Sequence, residues 1–316
     1  MERTYYSNGK LLLTGEYLVL HGAESLVVPL RMGQSMQVRE AGKGSGDQIF
    51  WTAKQYDRQW FHAVLHGKDF SVTETNNMVV CNKLIRLLQE IRRLNPHKFG
   101  TSLNFETNVS FDMAWGFGSS SSLISNLASW SDIDPFLLHS GVSDGSGYDI
   151  AAAGMDGPFI YTVKNRQRSV DEVNFQPAFA DHFYFVHLGN KQSSADETNR
   201  YMKLGKPGIE LIRKISEITS AMVRSKYLED FMILMDEHEQ FLAKHIRKKT
   251  IRETLFASFA GSVKSLGAWG GDFVLMVSGK GNGYVRDYLA ETGFPVYFRY
   301  RDLVLSNDKV FHTETL

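Results

Sequence analysis

The sequence predicts a two-domain α+β protein, and three observations carry that prediction. Short β-type runs and longer helical patterns are mixed along the first half of the chain. No repeat at solenoid or propeller spacing orders them. Near Arg166 to Asp181 the composition passes from strand-rich to helix-rich, and at 316 residues the chain exceeds the roughly 250–300 residues at which single cores stop growing. Two domains are therefore expected, residues 1–170 and 171–316.

The elements follow in order. Strands are expected at Lys10–Thr14, Leu26–Leu30, Ser35–Arg39, Ile49–Thr52 and Trp60–Leu65, with Gly42-Lys43-Gly44-Ser45-Gly46 as a hairpin loop. A helix begins near Thr75 or Asn76, carries Cys81, Leu84, Ile85, Leu88 and Ile91 on one stripe, and stops before Asn95-Pro96. Cys81 on that stripe reads as a small buried hydrophobe. Ser102–Thr107 alternates as a strand, and a helix from Ser119 to Trp130 follows a turn rich in glycine and serine. Further strands are expected at Phe159–Val163, His182–Leu188 and Phe273–Val277. Helices are expected at Ala195–Ser225, Tyr227–His245 and Ile251–Leu266, and another glycine loop at Gly279–Gly283.

Composition excludes several classes of function. Lys and Arg number 35 and so do Asp and Glu, giving a formal net charge of zero. That balance argues against nucleic acid or an anionic membrane as partner. No stretch approaches the ~20 apolar residues of a membrane span. The start Met1-Glu2-Arg3-Thr4-Tyr5-Tyr6 lacks a secretory pattern, and one cysteine cannot form an intramolecular disulfide, so a cytoplasmic address is expected. Neutral charge is compatible with a homodimer and locates no interface.

Four glycine-rich segments carry candidate chemistry. Trp115-Gly116-Phe117-Gly118-Ser119-Ser120-Ser121-Ser122 brings permissive backbone to the start of a helix, whose free N–H groups and positive dipole end suit phosphate. A serine-capped helix start explains it equally well. It is neither a Walker loop nor a dinucleotide fingerprint, and it lacks the second glycine of a nucleophile elbow. Asp144-Gly145-Ser146-Gly147-Tyr148-Asp149-Ile150 sets acids beside flexible glycines, as a proton acceptor or as helix caps. Gly267-Ala268-Trp269-Gly270-Gly271-Asp272 reads first as a tight connection into a strand, with closure over a ligand as the alternative. Lys10, at the mouth of the apolar run Leu11-Leu12-Leu13, needs a carboxylate or an anionic ligand as partner. His238-Glu239 lacks a histidine at zinc-protease spacing, and the alternating charges around it read as a solvated face.

These segments, in this order, resemble the GHMP kinases, named for galactokinase, homoserine, mevalonate and phosphomevalonate kinases. The resemblance spans nearly the whole chain. Asn8–Gly22, with Gly15-Glu16-Tyr17-Leu18-Val19-Leu20-His21-Gly22, is similar to the first family motif in its mevalonate kinase form. Gly116-Phe117-Gly118-Ser119-Ser120 resembles the phosphate loop, and Lys264–Asp272 resembles the third motif. Gly145-Ser146-Gly147-Tyr148-Asp149-Ile150-Ala151 is most like phosphomevalonate kinases and a bacterial group marked by Gly-Tyr-Asp-Ile-Ala.

The resemblance implies a ribosomal protein S5 domain 2-like N-terminal domain, carrying ATP binding and the acid, and a ferredoxin-like C-terminal domain. It implies ATP and Mg²⁺ as cofactors, with Trp115, Gly116, Phe117, Gly118, Ser119, Ser120 and Ser121 around the phosphates and Ser120 on the metal. Asp149 then orients or deprotonates the acceptor hydroxyl, and Lys10 stabilises charge on the transferring group. Glu16, His21, Gly147, Tyr148, Lys191, Ser193 and Gly270 fall where relatives touch substrate. Three departures stand out. Phe136-Leu137-Leu138-His139-Ser140 has no carboxylate where mevalonate kinases carry a metal-binding glutamate, and Trp115 and Trp269 add bulk beside glycines. The implied activity is transfer of the γ-phosphoryl of ATP to phosphomevalonate or mevalonate. A sugar kinase and a noncatalytic ligand-binding protein are the alternatives.

Overall fold

The computed structural model describes residues 2–41, 47–165, 167–189, 197 and 200–306; the expected Gly42–Gly46 hairpin loop lies outside them. The chain divides into two compact units, Met1–Lys10 with Met32–Gly154, and Leu11–Arg31 with Met155–Leu316. The fold is α+β.

In the first unit lie β3 (Gln48–Gln55), β4 (Arg58–His66), β5 (Val72–Thr75) and β6 (Leu103–Val109), with most of β1 (Glu2–Leu12) and the second half of β2 (Ser25–Glu40). The strand order is β5-β4-β3-β6-β2, and β1 also pairs with β2. β3 and β4 close through Tyr56 and Asp57, both at positive φ, a turn whose twist matches the strands it joins. Asn108 holds that turn: its Nδ2 donates to Asp57 Oδ1 at 2.7 Å and its Oδ1 accepts from Asp57 N–H at 3.1 Å. β3 runs parallel to β6, and β2 runs antiparallel to it.

One face of this sheet is apolar because burial alternates along β3 and β6. Trp51 stacks on Phe105 with ring centroids 4.9 Å apart. Over them lie α1 (Met78–Leu94), α2 (Ser119–Ser131), α3 (Pro135–Ser140) and α4 (Tyr148–Ala153). Asn77 caps α1 by accepting from Val80 N–H, and the helix buries Cys81, Leu84, Leu87, Leu88 and Ile91. The core thiol is as expected, and Cys81 is free. A polar ladder seats α2 on the strands. Ser7 Oγ donates to Asn126 Oδ1 at 2.9 Å, Asn126 Nδ2 donates to Gln34 O at 2.9 Å, and Ser122 Oγ donates to Gln34 Oε1 at 2.8 Å.

In the second unit the first half of β2 pairs with β7 (Phe159–Lys164), which pairs with β8 (Gln167–Glu172). A separate antiparallel sheet holds β9 (Phe183–His187), β10 (Ser262–Leu266), β11 (Phe273–Val277) and β12 (Tyr297–Arg299), in the order β10-β11-β9-β12. Its helices are α5 (Ile209–Arg224), α6 (Leu228–Ile246), α7 (Ile251–Leu255), α8 (Gly281–Thr292) and α9 (Tyr300–Leu303). Tyr184, Val186, Val274 and Met276 pack with Phe256, Phe259, Val285 and Leu289. Of the intervening residues, Phe183 stacks on Phe231 of α6 at 4.7 Å and Phe185 stacks on Tyr300 at 6.2 Å. Both faces are thus covered, which is why β10 and β11 are buried at every position and show no alternation.

Several expected elements differ. β1 extends back to Glu2, and the two strands expected at Leu26–Leu30 and Ser35–Arg39 are one, β2, because Ser110 Oγ and Gly33 satisfy each other where a turn was indicated. The helix expected over Ile251–Leu266 ends at Leu255. The Arg252 guanidinium then binds the carbonyls of Phe259 and Gly261, turning the chain into strand β10. The helix expected over Ala195–Ser225 is broken: residues 200–202 are helical, and α5 begins at Ile209, after Gly205 at φ 88 and Pro207. Residues 195, 196, 198 and 199 lie outside the described residues. No helix among the described residues is long and apolar enough to cross a membrane.

Candidate functional site

The glycine-serine segment of the first unit is built around one buried ring. Asp112 caps a short 3-10 turn at Met113–Trp115, accepting Ala114 N–H at 2.8 Å. Gly116 (φ 66) and Gly118 (φ 91) flank Phe117, which is fully buried and edge-on to Phe111 and Trp115 at 5.7 and 5.6 Å. The phenyl ring fixes the loop from below, and the glycines give the backbone the left-handed conformation this path needs. α2 starts directly afterwards. Its first intrahelical bond runs from Ser122 N–H to Gly118 O, which leaves the N–H groups of Ser119, Ser120 and Ser121 ahead of it at the positive end of the helix. Ser120 is exposed, and Ser121 Oγ donates back to Gly118 O at 2.9 Å.

Lys10 joins this loop to the acidic segment. From β1 its N–H donates to Phe117 O at 2.9 Å, its Nζ donates to Gly116 O at 2.9 Å, and the same Nζ stands 5.6 Å from the Tyr148 ring centroid. Tyr148 opens α4 behind Gly147 (φ 88), and Asp149 is the acid of its first turn. Asp149 Oδ1 accepts Ile150 N–H at 3.1 Å, and α4 packs on α2. His139 of α3 is buried, and its ring lies 3.5 Å from where a Cβ on Gly145 would be, so it underlies the glycine that opens the acidic segment. That position is a packing one.

Gly118 leaves no room for a side chain. A Cβ there would meet Ser121 Oγ at 2.7 Å and the Lys10 stem at 3.2 Å, on a backbone that L-residues rarely adopt. Gly118→Ala is expected to cost about 2 kcal/mol and to push Lys10 off Gly116 O. Thermal unfolding that matches wild type would show that the loop is laxer than this packing implies.

Glu16, His21 and Gly270 lie in the second unit, where the polar groups are buried. Glu16 is 2% exposed and its Oε1 accepts from Lys264 Nζ of β10, which is itself 0% exposed. Burial raises the Glu16 carboxyl to about 7 even though Lys264 pulls it down. Lys264 Nζ also donates to Ser265 O at 2.8 Å. His238 of α6 is fully buried, with its Nε2 accepting Gly15 N–H at 3.0 Å and standing 3.6 Å from Glu16 Oε2. Burial, then the charge of Lys264, holds that imidazole well below its ordinary range, so it stays neutral with its proton on Nδ1. Glu239 accepts from Ile251 N–H, Ser265 N–H and Ser265 Oγ.

Tyr17, at φ 62, accepts Trp269 N–H on its hydroxyl at 2.7 Å and stacks on Tyr201 at 4.8 Å. His21 and His245 pack on the same Tyr201 ring, and burial lowers both imidazoles below their ordinary values.

The structure thus gathers Lys10, Trp115–Ser121, Gly147, Tyr148 and Asp149 in one unit. Glu16, His21 and Gly270 share the other, and Lys191 and Ser193 lie outside the described residues. The reading of His238-Glu239 as a solvated face is corrected. Both are buried, because Phe231, Met235, His238, Glu239, Leu242 and Ile246 form one inward stripe of α6. That spacing of three and four was visible in the sequence, but the charges on it suggested water. Lys264 and Tyr201 were not singled out as partners of the Gly15–Tyr17 segment. Neither has a local signal, since each is recognised only by what it touches far away in the chain.

For Mg²⁺ the donor set decides. Among the described residues no three His, Cys, Asp or Glu side chains gather as a cation site. At the loop the protein offers the Ser120 hydroxyl and, from α4, the Asp149 carboxylate. Such a set fits an ion that arrives on phosphate oxygens, keeps its waters and takes one or two protein oxygens, and it does not fit one caged by protein alone.

No family model matches the sequence, and no curated protein matches it. Solved structures do match. The Methanococcus jannaschii mevalonate kinase superposes with a TM-score of 0.69 at 16% identity, over 97% of this chain and 99% of that one. The Streptococcus pneumoniae phosphomevalonate kinase, in complex with phosphomevalonate and AMPPNP, gives 0.70 at 13% identity, over 94% and 99%. The Lactococcus lactis galactokinase complexed with galactose gives 0.67 at 12% identity, over 96% and 93%. The chain has the fold of the GHMP kinases.

Proposed function

We propose that this chain is an ATP-dependent small-molecule kinase that phosphorylates phosphomevalonate, or else mevalonate, with an S5 domain 2-like first domain and a ferredoxin-like second. One observation carries the reading. Lys10 Nζ is held on the phosphate-loop carbonyl of Gly116 while lying over the ring of Tyr148, the residue before Asp149, so a cation, a helix-start anion cradle and a carboxylate share one unit.

In that role the N–H groups at the start of α2 and the backbone of Gly116–Gly118 cradle the phosphates. Trp115 flanks the cradle. Ser120 would supply an oxygen to Mg²⁺, whose chemistry would be to neutralise charge on the phosphates. Asp149 accepts the proton of the acceptor hydroxyl, and Lys10 supplies fixed positive charge to the group in transfer. On the acceptor we place Gly147 and Tyr148, which share the unit of the cradle. Glu16, bound to Lys264, acts as anchor of its own segment.

Phosphomevalonate is preferred for the Gly147-Tyr148-Asp149 sequence, and the phosphomevalonate kinase named above shares the fold. A sugar acceptor is the second reading, since the galactokinase matches with a similar TM-score. The test is ADP release with Mg²⁺ on phosphomevalonate, mevalonate, homoserine and a sugar panel. Turnover on phosphomevalonate or mevalonate is expected. Turnover on a sugar alone would replace the acceptor, and ATP binding without turnover on any of them would favour a noncatalytic binder.

A further inference from the structure

Three consecutive residues of the first glycine segment are each fastened to a different part of the second unit. Gly15 N–H donates to His238 of α6, Glu16 accepts from Lys264 of β10, and Tyr17 accepts Trp269 N–H at 2.7 Å. The third bond differs from the other two. His238 and Lys264 stand on regular elements, whereas Trp269 sits within the Gly267–Gly271 loop, between Gly267 at φ 68 and Gly270 at φ 67. A Cβ at either glycine would meet no atom within 4 Å, so the two glycines add no side-chain packing to the loop, and the Trp269 indole between them, 6% exposed, is what the loop buries. Its other ties are Gly271 N–H to Ala268 O at 2.8 Å and Trp269 Nε1 to Lys249 O at 3.3 Å.

Tyr17 is by contrast well held. Its ring is stacked on Tyr201, and its backbone is held at φ 62, ψ -44, a tight turn closed by Leu18 N–H on Glu16 O at 2.7 Å that an aromatic residue adopts only where surroundings enforce it. Burial pushes its phenol up to about 12, so the oxygen that faces Trp269 stays neutral at any working pH.

We propose that Tyr17 is a positioning residue that holds the Gly267–Gly271 loop through the Trp269 amide, so that the first and third glycine segments meet a ligand already ordered. The kinetic consequence rests on the kinase reading above; the structural one does not. A loop released from Tyr17 has to be ordered at the expense of binding, which weakens apparent affinity and leaves the bound state's chemistry alone.

The test is Tyr17→Phe, which keeps the ring and its stack and removes the acceptor oxygen. By hydrogen exchange, the Trp269 amide is expected to exchange about tenfold faster or more, with β11 amides unchanged. On whichever acceptor the wild type turns over, KM should rise roughly tenfold while kcat stays within about threefold. Trp269→Phe retains the main-chain bond to Tyr17 and should accelerate exchange at position 269 much less. Unchanged exchange at Trp269 in Tyr17→Phe would overturn the proposal. So would acceleration spread through the whole second unit, which is a purely structural role, or faster loop exchange with both kinetic constants unaltered. If the wild type turns over none of the acceptors, it is the kinase reading that fails, and exchange at Trp269 alone decides the latch.

Discussion

Asp149→Asn is expected to lower turnover by about 10²–10⁴-fold, the usual contribution of a positioned acid or base, while leaving fold and nucleotide binding in place. Separation of the two effects follows from the geometry. The contact Asp149 makes within its helix is an acceptor one, Oδ1 to Ile150 N–H at 3.1 Å, and an asparagine carbonyl makes the same bond. The asparagine keeps the size and this bond to Ile150 N–H and loses only basicity and charge. The phosphate loop is held by other groups, namely Phe117 in its buried seat and Lys10 on Gly116 O, so the cradle should persist. Thermal protection by ATP at about 100 times its Kd corresponds to roughly 2.7 kcal/mol, and the variant should retain most of it. The decisive comparison is therefore kcat against ATP-induced stabilisation on one preparation. A kcat within tenfold of wild type removes Asp149 from the mechanism. Loss of the ATP shift would instead assign it to nucleotide binding.

The sequence made some of this visible and hid the rest for identifiable reasons. Segments that read correctly are those whose pattern is local: the stripe of α1 and its Asn95-Pro96 stop, although the helix starts at Met78 behind Asn77 and not at Thr75 or Asn76, the helix from Ser119, and the apolar run of β11. The β10 strand was hidden because a strand covered on both faces has no alternation, and Ser262-Val263-Lys264-Ser265-Leu266 continues the apolar register of the helix before it. The Gly116–Ser121 loop and the Tyr148-Asp149 segment were legible as glycine-rich chemistry, while their nearness through Lys10 came from the family resemblance and not from the residues themselves. Residue 10 reaches residue 116 only because β1 lies beside the turn that ends β6. Lys264 illustrates the limit best. Nothing in Ser262-Val263-Lys264-Ser265-Leu266 marks the lysine as buried, and nothing in the chain says that its partner is Glu16, 248 residues away.

Lys264→Met is expected to be the most destabilising single change, at about 3–5 kcal/mol near pH 8, because it strands a carboxylate with no cation in a dry site. The magnitude comes from the orphaned charge and not from any large net stabilisation by the pair, whose desolvation offsets most of its attraction. The pH dependence makes this testable. Glu16 is raised in the native state to about 7 from an ordinary 4.5, so its contribution is fully present below about 4.5 and is lost as pH climbs through 7. His238, depressed below its ordinary 6.5, runs the other way: its contribution is present above 6.5 and is lost as pH falls. In wild type the two slopes oppose one another across the same window. Removing Lys264 takes away the main influence that holds the Glu16 value down, so Glu16 protonates at higher pH and its slope steepens. The deficit of the variant should accordingly shrink by up to about 1.4 kcal/mol per pH unit on going from pH 8.5 towards 5.5. Adding Glu16→Gln removes the charge at its source, and the double variant should recover most of the loss at pH 8 in a mutant cycle. Urea and thermal unfolding of wild type, both single variants and the double variant at three pH values would decide it. A deficit below about 1 kcal/mol, or one that does not change with pH, would mean that the Glu16 carboxylate has access to water or another donor once Lys264 is gone.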